Sequence, residues 1–233
     1  MHLLIINVLM WLATVALQRA GIIDLNNWLG LHYWHAGRFN PCQFFTSMFM
    51  HANFTHLFVN MFSLWMLGPL LERVLTSKRY LLYYIVCGLG ASLAQELAWE
   101  FTWQDILASN VTGPAAGSVK DIIDAINTGH AAFTMDDFYN SLVTIGASGA
   151  VFGILLAFGM IFPNMPMGLL FIPVTIPAKW FVLGYGLFEL MFGITGTMSN
   201  IAHFAHLGGM VAGIVLILYW KRNGTLSRGY GIY

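Results

Sequence analysis

The stretch Gly146-Ala147-Ser148-Gly149-Ala150-Val151-Phe152-Gly153, running straight into Ile154-Leu155-Leu156-Ala157-Phe158, decides how this chain is read. It is an uncharged apolar run with one hydroxyl at its start. A hydrocarbon core about 30 Å thick is crossed by roughly 20 mostly apolar residues in a helix. The run over 146–162 is therefore expected to be a membrane span. Five similar runs surround it, over about 2–17, 54–75, 80–97, 178–194 and 201–220. The expected fold class is an all-α membrane protein, a bundle of six transmembrane helices.

Composition excludes the alternatives. Of the 233 residues, 58% are hydrophobic and only 9% charged, against about 25% charged in soluble domains. Ten Lys+Arg and ten Asp+Glu do not coat a soluble surface. A disordered chain would be poor in aromatic and apolar residues. The net charge is zero with no basic patch, so no nucleic-acid partner is expected. Cys42 and Cys87 stand too far apart in sequence to form a disulfide scaffold. The first run has no basic leader or small-residue cleavage site and reads as a retained span.

Lys and Arg placement gives an orientation. With a cytoplasmic N-terminus, the inner loops hold Arg73, Lys78, Arg79, Lys179, Lys221, Arg222 and Arg228, and the outer segments Arg19, Arg38 and Lys120. Both termini are then cytoplasmic, and 221–233 is a short cytoplasmic tail. Residues 18–50 are too broken to span. With Trp28, Tyr33, Trp34, Phe39, Phe44 and Phe45 they read as an interfacial loop between spans one and two. Residues 98–141 hold six of the ten acids and read as a solvated extracytoplasmic insertion, with a short amphipathic helix over 120–126. No internal repeat supports an inverted-repeat transporter.

Polar side chains inside spans are costly and usually functional. Three clusters lie at the starts of spans two, four and six, which run in one direction. His51 precedes Asn53, His56 and Asn60, and the last three share one helix face. Gly146, Ser148, Gly149 and Gly153 form the second cluster. His203, His206, Gly209 and Gly213 form the third. The glycine pairs at 149/153 and 209/213 let helix backbones approach closely. If spans four and six pack through them, Ser148 and His206 meet. A serine needs a base before it attacks a carbonyl, and neutral histidine is that base near neutral pH. Donors for an oxyanion are available in His56, Asn60 and the first amides of span four, that of Ser148 included. Glu96 and Glu189 lie inside spans three and five, away from the cluster in sequence, so a Ser–His dyad without a carboxylate is expected. Each feature alone has a plainer reading: a packing serine, a hydrogen-bonded histidine, or glycines of any helix bundle. Four histidines also permit a metal or proton pathway, but no His-Glu-x-x-His occurs and no carboxylate lies in any cluster. Neither metal nor cofactor is expected.

These residues resemble the rhomboid family of intramembrane serine proteases, over roughly 40–100 and 142–220. Gly146-Ala147-Ser148-Gly149 with Gly153 resembles its nucleophile motif. His206 with Gly209 and Gly213 resembles its sixth-span motif, which makes His206 rather than His203 the base. His56 with Asn60 resembles its oxyanion-hole motif, and His51 a recurrent family histidine. Phe39-Asn40-Pro41-Cys42-Gln43, Phe49-Met50-His51 and Leu71-Glu72-Arg73 resemble the two ends of its second span. The adjacent Trp-Arg often found in its first loop is absent, since Trp34 and Arg38 are separated. The acidic segment is longer than in compact members. The resemblance implies a simple six-span bacterial-type form in the inner membrane, cleaving single-span membrane proteins through an acyl-enzyme. A family member that binds membrane helices without cutting them is the alternative reading.

Overall fold

The computed structural model describes residues 1–111, 118–169, 172–195, 202–224 and 226. Part of the expected insertion (112–117), part of the expected tail, and Arg228 lie outside the described residues. In chain order the elements are α1 (His2–Arg19), α2 (Leu25–Leu29), β1 (Leu31–His32), α3 (Gln43–Thr46), a 3-10 turn (Ser47–Phe49), α4 (Phe54–Leu75), α5 (Ser77–Asn110), α6 (Val119–Asn127), α7 (Met135–Ser141), β2 (Val143–Thr144), α8 (Ser148–Ile161), β3 (Pro166–Leu169), β4 (Ile172–Pro177), α9 (Ala178–Thr195) and α10 (His203–Arg222).

The chain is an all-α membrane bundle of α1, α4, α5, α8, α9 and α10. Four of these, α1, α4, α5 and α10, are each long and apolar enough to cross a membrane. The centre is α8, where ten of fourteen residues are buried, so it meets protein rather than lipid on nearly every side. Fourteen residues rise about 21 Å, roughly 9 Å short of the hydrocarbon thickness. Its two ends, Ser148 and Ile161, therefore stand closer together than the two faces of a bilayer core. The lead-in is made of chain that would be intolerable in lipid but is covered here by protein.

Span three differs from expectation. The helix α5 has 34 residues, about 51 Å, and continues through 98–110 instead of ending near Leu97. Hydropathy falls where lipid ends, whereas the backbone ladder continues into water. The remaining insertion is not merely a solvated strap. Ile122 on α6 and Phe138 on α7 pack with Tyr33, Trp99, Leu107 and Leu142 in a small second core over the C-terminal end of α5. Both short helices start with capping boxes, Ser118/Asp121 and Thr134/Asp137. The Ser118 side chain and amide, and the Thr134 amide and side chain, hold these two carboxyls below the usual aspartate range. The link between spans four and five is also more ordered than its prolines suggest. Strands β3 and β4 pair antiparallel, Pro166 opposite Pro177 and Met167 opposite Ile176.

The first loop is folded onto the bundle. Leu31, Tyr33, Met48 and Met50 are buried, while Trp28 and Phe45 face outward. Its strand β1 pairs with β2, Leu31 opposite Thr144 and His32 opposite Val143. The Gly146 amide donates to Ser47 O at 2.9 Å. The loop thus holds the chain that leads into Ser148. Gln43 ties the loop together. Its Oε1 accepts from the amides of His32 (3.3 Å) and Asn40 (3.1 Å). Its Nε2 donates to the carbonyls of Trp28 (3.2 Å) and Arg38 (3.1 Å). An unpartnered buried polar group costs about 1–3 kcal/mol. Gln43→Ala strands several at once and is expected to lower stability by at least that much, measured as the unfolding midpoint in detergent. Ser109→Ala, at an exposed hydroxyl, is expected to leave that midpoint unchanged.

Candidate active site

Close helix contact brings the site together. A Cβ placed on Gly209 of α10 would collide with the Gly149 carbonyl of α8. The contact is not between two helices alone, as the spacing suggested, because α5 enters it too. A Cβ on Gly149 would strike Ala91, one on Gly153 would strike Cys87, and one on Gly213 would strike the Tyr83 hydroxyl. The Tyr83 hydroxyl also donates to Gly153 O at 2.8 Å. Ser148 precedes Gly149 by one residue and His206 precedes Gly209 by three. Their side chains therefore face each other within one turn of this contact, with His206 Nε2 2.9 Å from Ser148 Oγ.

The His206 ring is held on three sides. It stacks on Phe152, one turn along α8 from Ser148, with centroids 4.1 Å apart and planes 6° from parallel. Its Nδ1 lies 3.0 Å from Glu189 Oε2. The same oxygen lies 2.7 Å from His203 Nδ1. Glu189, His203 and His206 are all buried, while Ser148 is half-buried beside a small pocket bounded by Ser47, Gly146, Gly149 and Ala205.

The expectation that no carboxylate reaches His206 is corrected here. Glu189 lies six residues before the end of α9, and His206 three after the start of α10. The chain reverses between α9 and α10, so these two ends lie on the same side of the bundle and the two residues stand within about two turns of it. Counting from the helix ends, not along the sequence, would have found the contact. Phe152, at i+4 from the serine, was also missed.

The remaining expected residues divide. The His56 ring lies against Gly146. A Cβ there would be 2.7 Å from His56 Cε1 and Nε2 and 3.5 Å from Ser148 Oγ, so His56 and Ser148 share one small space. Gly146 itself has φ +136°, a conformation that only glycine adopts without strain. Asn60 is buried on the same face of α4, but its Nδ2 donates to the His56 carbonyl at 3.0 Å. The amide carries a second hydrogen. On α8, Val151 N is bonded to Ala147 O. The preceding amides, Ser148 and Gly149 among them, have no partner within the helix and carry its partial positive charge. His51 sits edge-on to His56 at 5.1 Å. Burial, and then His56, push it down to about 4, so it is neutral at neutral pH. Among the described residues no group of three His, Cys, Asp or Glu side chains is disposed to hold a metal ion.

A polytopic helical bundle with a serine–histidine pair at the N-terminal end of its central helix is the class of protein that fold and site define. Residues 38–223 match the family described as Rhomboid domain, and the chain belongs to that family. It is similar to two proteins of Arabidopsis thaliana. It is 25% identical to "Rhomboid-like protein 11, chloroplastic", over 92% of this chain and 62% of the relative. It is 26% identical to "RHOMBOID-like protein 1", over 90% of this chain and 40% of the relative. The chain thus spans less than two thirds of either relative's length.

Gly146→Ala places a β-carbon against the His56 ring in a backbone conformation hostile to it. An unfavourable conformation of this kind costs about 1–3 kcal/mol, and a drop in the detergent unfolding midpoint of that order is expected. Gly184→Ala, inside α9 where nothing lies within 4 Å of the new carbon, is expected to cause no loss and to gain up to about 1 kcal/mol from helix propensity.

Proposed function

We propose that the chain is an intramembrane serine endopeptidase that cleaves transmembrane proteins in or near the bilayer. The observation that carries the reading is the 2.9 Å approach of His206 Nε2 to Ser148 Oγ, with the imidazole held by Phe152 and Glu189. Ser148 Oγ bonds to the carbonyl carbon of the scissile peptide as its proton passes to His206 Nε2. The tetrahedral oxyanion lies against the first α8 amides, with His56 and Asn60 alongside. The C–N bond breaks, the amine leaves with the proton from His206, and the acyl group stays on Ser148. Water, deprotonated by His206, releases it.

A transmembrane helix hides its carbonyls in its own hydrogen bonds, so a substrate must unwind locally before attack. Segments with small residues and helix breakers unwind at least cost, which supports single-span proteins with such segments as substrates. The host membrane is proposed to be a bacterial inner membrane with both termini cytoplasmic. The orientation is supported by seven of the ten Lys and Arg falling in loops on one side.

A fluorescent alkyl phosphonate tests the reading on purified protein in proteoliposomes. Labelling is expected at Ser148, located by mass spectrometry, and lost in Ser148→Ala and His206→Ala. Folded wild type that stays unlabelled would overturn the reading and favour a member that binds helices without cutting them. With a cleavable transmembrane peptide, Asn60→Ala is expected to slow turnover by less than the 10²–10³-fold, in order of magnitude, attached to a sole oxyanion donor. The His56 side chain and the α8 amides share that burden. A loss at or beyond that range would make Asn60 the dominant donor.

A further inference from the structure

The geometry points to Glu189 as a positioning residue for the catalytic base, an inference that rests on the proteolytic reading above. Its role is to hold His206 in the tautomer that turns a bare Nε2 toward Ser148. A lone carboxylate in a lipid-embedded helix is expensive and is retained where it is paired. Here one oxygen of Glu189, Oε2, meets two imidazole nitrogens, His203 Nδ1 at 2.7 Å and His206 Nδ1 at 3.0 Å. An ionised carboxylate only accepts hydrogen bonds, so both Nδ1 atoms carry hydrogen. For His206 this leaves the Nε2 lone pair facing the Ser148 hydroxyl, the arrangement a general base requires. The other tautomer would present an N–H to the serine and could not take its proton. When Nε2 does take it, the new positive charge is 3.0 Å from a buried negative one.

His203 has a part in this. Its Nδ1 takes the second acceptor position of the same oxygen, and its Nε2 is buried with no hydrogen-bond partner among the described residues. The ring makes no other polar contact there, so its polar chemistry is spent on the carboxylate. It stacks at 5.9 Å on Phe192, which is on α9, one turn beyond Glu189. His203 thereby gives the carboxylate oxygen a second anchor besides His206. Glu189 sits on α9, the serine on α8 and the histidines on α10, so three helices must meet before the base is set.

The test uses the full chain in detergent micelles with a fluorogenic transmembrane peptide, and 15N-histidine spectra to report the His206 tautomer. Glu189→Gln keeps the shape but removes the charge and lets the amide donate to Nδ1. Turnover is expected to fall on the order of 10²–10⁴-fold, the upper figure being the loss when a triad carboxylate becomes an amide, with KM little changed. The His206 signal is expected to move away from the pure Nδ1–H form. Glu189→Asp is expected to recover part of the turnover and of the spectrum, and His203→Ala to retain more turnover than Glu189→Gln. Turnover of Glu189→Gln within about twofold of wild type, or an unchanged His206 tautomer despite a large loss, would overturn the assignment. The spectra also separate this idea from the reading beneath it. A wild type that never labels at Ser148 defeats the proteolytic reading. The tautomer change between wild type and Glu189→Gln still decides what Glu189 does.

Discussion

Everything in this bundle hangs on how closely α5, α8 and α10 approach. Lipid tails are as apolar as leucine, so helices in a membrane gain little from hiding apolar surface and must gain from contact. Here the contact is backbone on backbone. Gly209 lies on the Gly149 carbonyl, Gly208 on the Gly90 carbonyl, and Gly149 on Ala91. A side chain at these points would push α10 away from α8, α10 away from α5, or α8 away from α5 by about an ångström or more. A serine and a histidine at 2.9 Å tolerate no such displacement, so the chemistry and the packing are one constraint. Gly149 and Gly209 stand one and three residues along their helices from Ser148 and His206, so the close contact sets the distance between the pair.

A second layer is built above this contact. The pairing of β1 with β2, the Gln43 hydrogen bonds and the Ser47 carbonyl fix the chain that enters α8. They do so in a place where unpaired backbone would otherwise face lipid or a narrow wet cleft. The small core of Tyr33, Trp99, Ile122 and Phe138 braces this layer against the C-terminal end of α5. The acidic segment therefore reaches Ser148 indirectly, through Tyr33, whose amide donates to the Leu142 carbonyl at 3.1 Å just before β2.

How much of this the sequence made legible depends on which force sets each feature. Hydropathy sets the membrane helices, so the six runs stand out in the sequence. Glycine spacing set the faces of α8 and α10 but not their third partner. Ala91 and Cys87 are unremarkable residues in an apolar run, and nothing local marks them as a wall. The length of α5 was hidden because Glu100 and Asp105 look like the end of a span, although they end only its lipid-facing part. Two-residue strands such as β1 and β2 carry no alternation to read. They exist because Leu142 and Thr144 lie beside the loop in space. Glu189 was visible as a buried acid, but its partners are fourteen and seventeen residues away along the chain. Only the alternating direction of helices makes them neighbours.

The division of the reactive groups among α8, α9 and α10 has a consequence for the cell that makes this chain. Synthesis runs from the N-terminus, and the membrane receives the helices in that order. While the first four helices are in place, Ser148 is an ordinary alcohol beside other newly inserted proteins. With α9 added, a carboxylate arrives without a histidine to hold. Only when α10 docks do the hydroxyl, the imidazole and the carboxylate line up. On the proteolytic reading, a chain cut short before α10 carries the serine without its base.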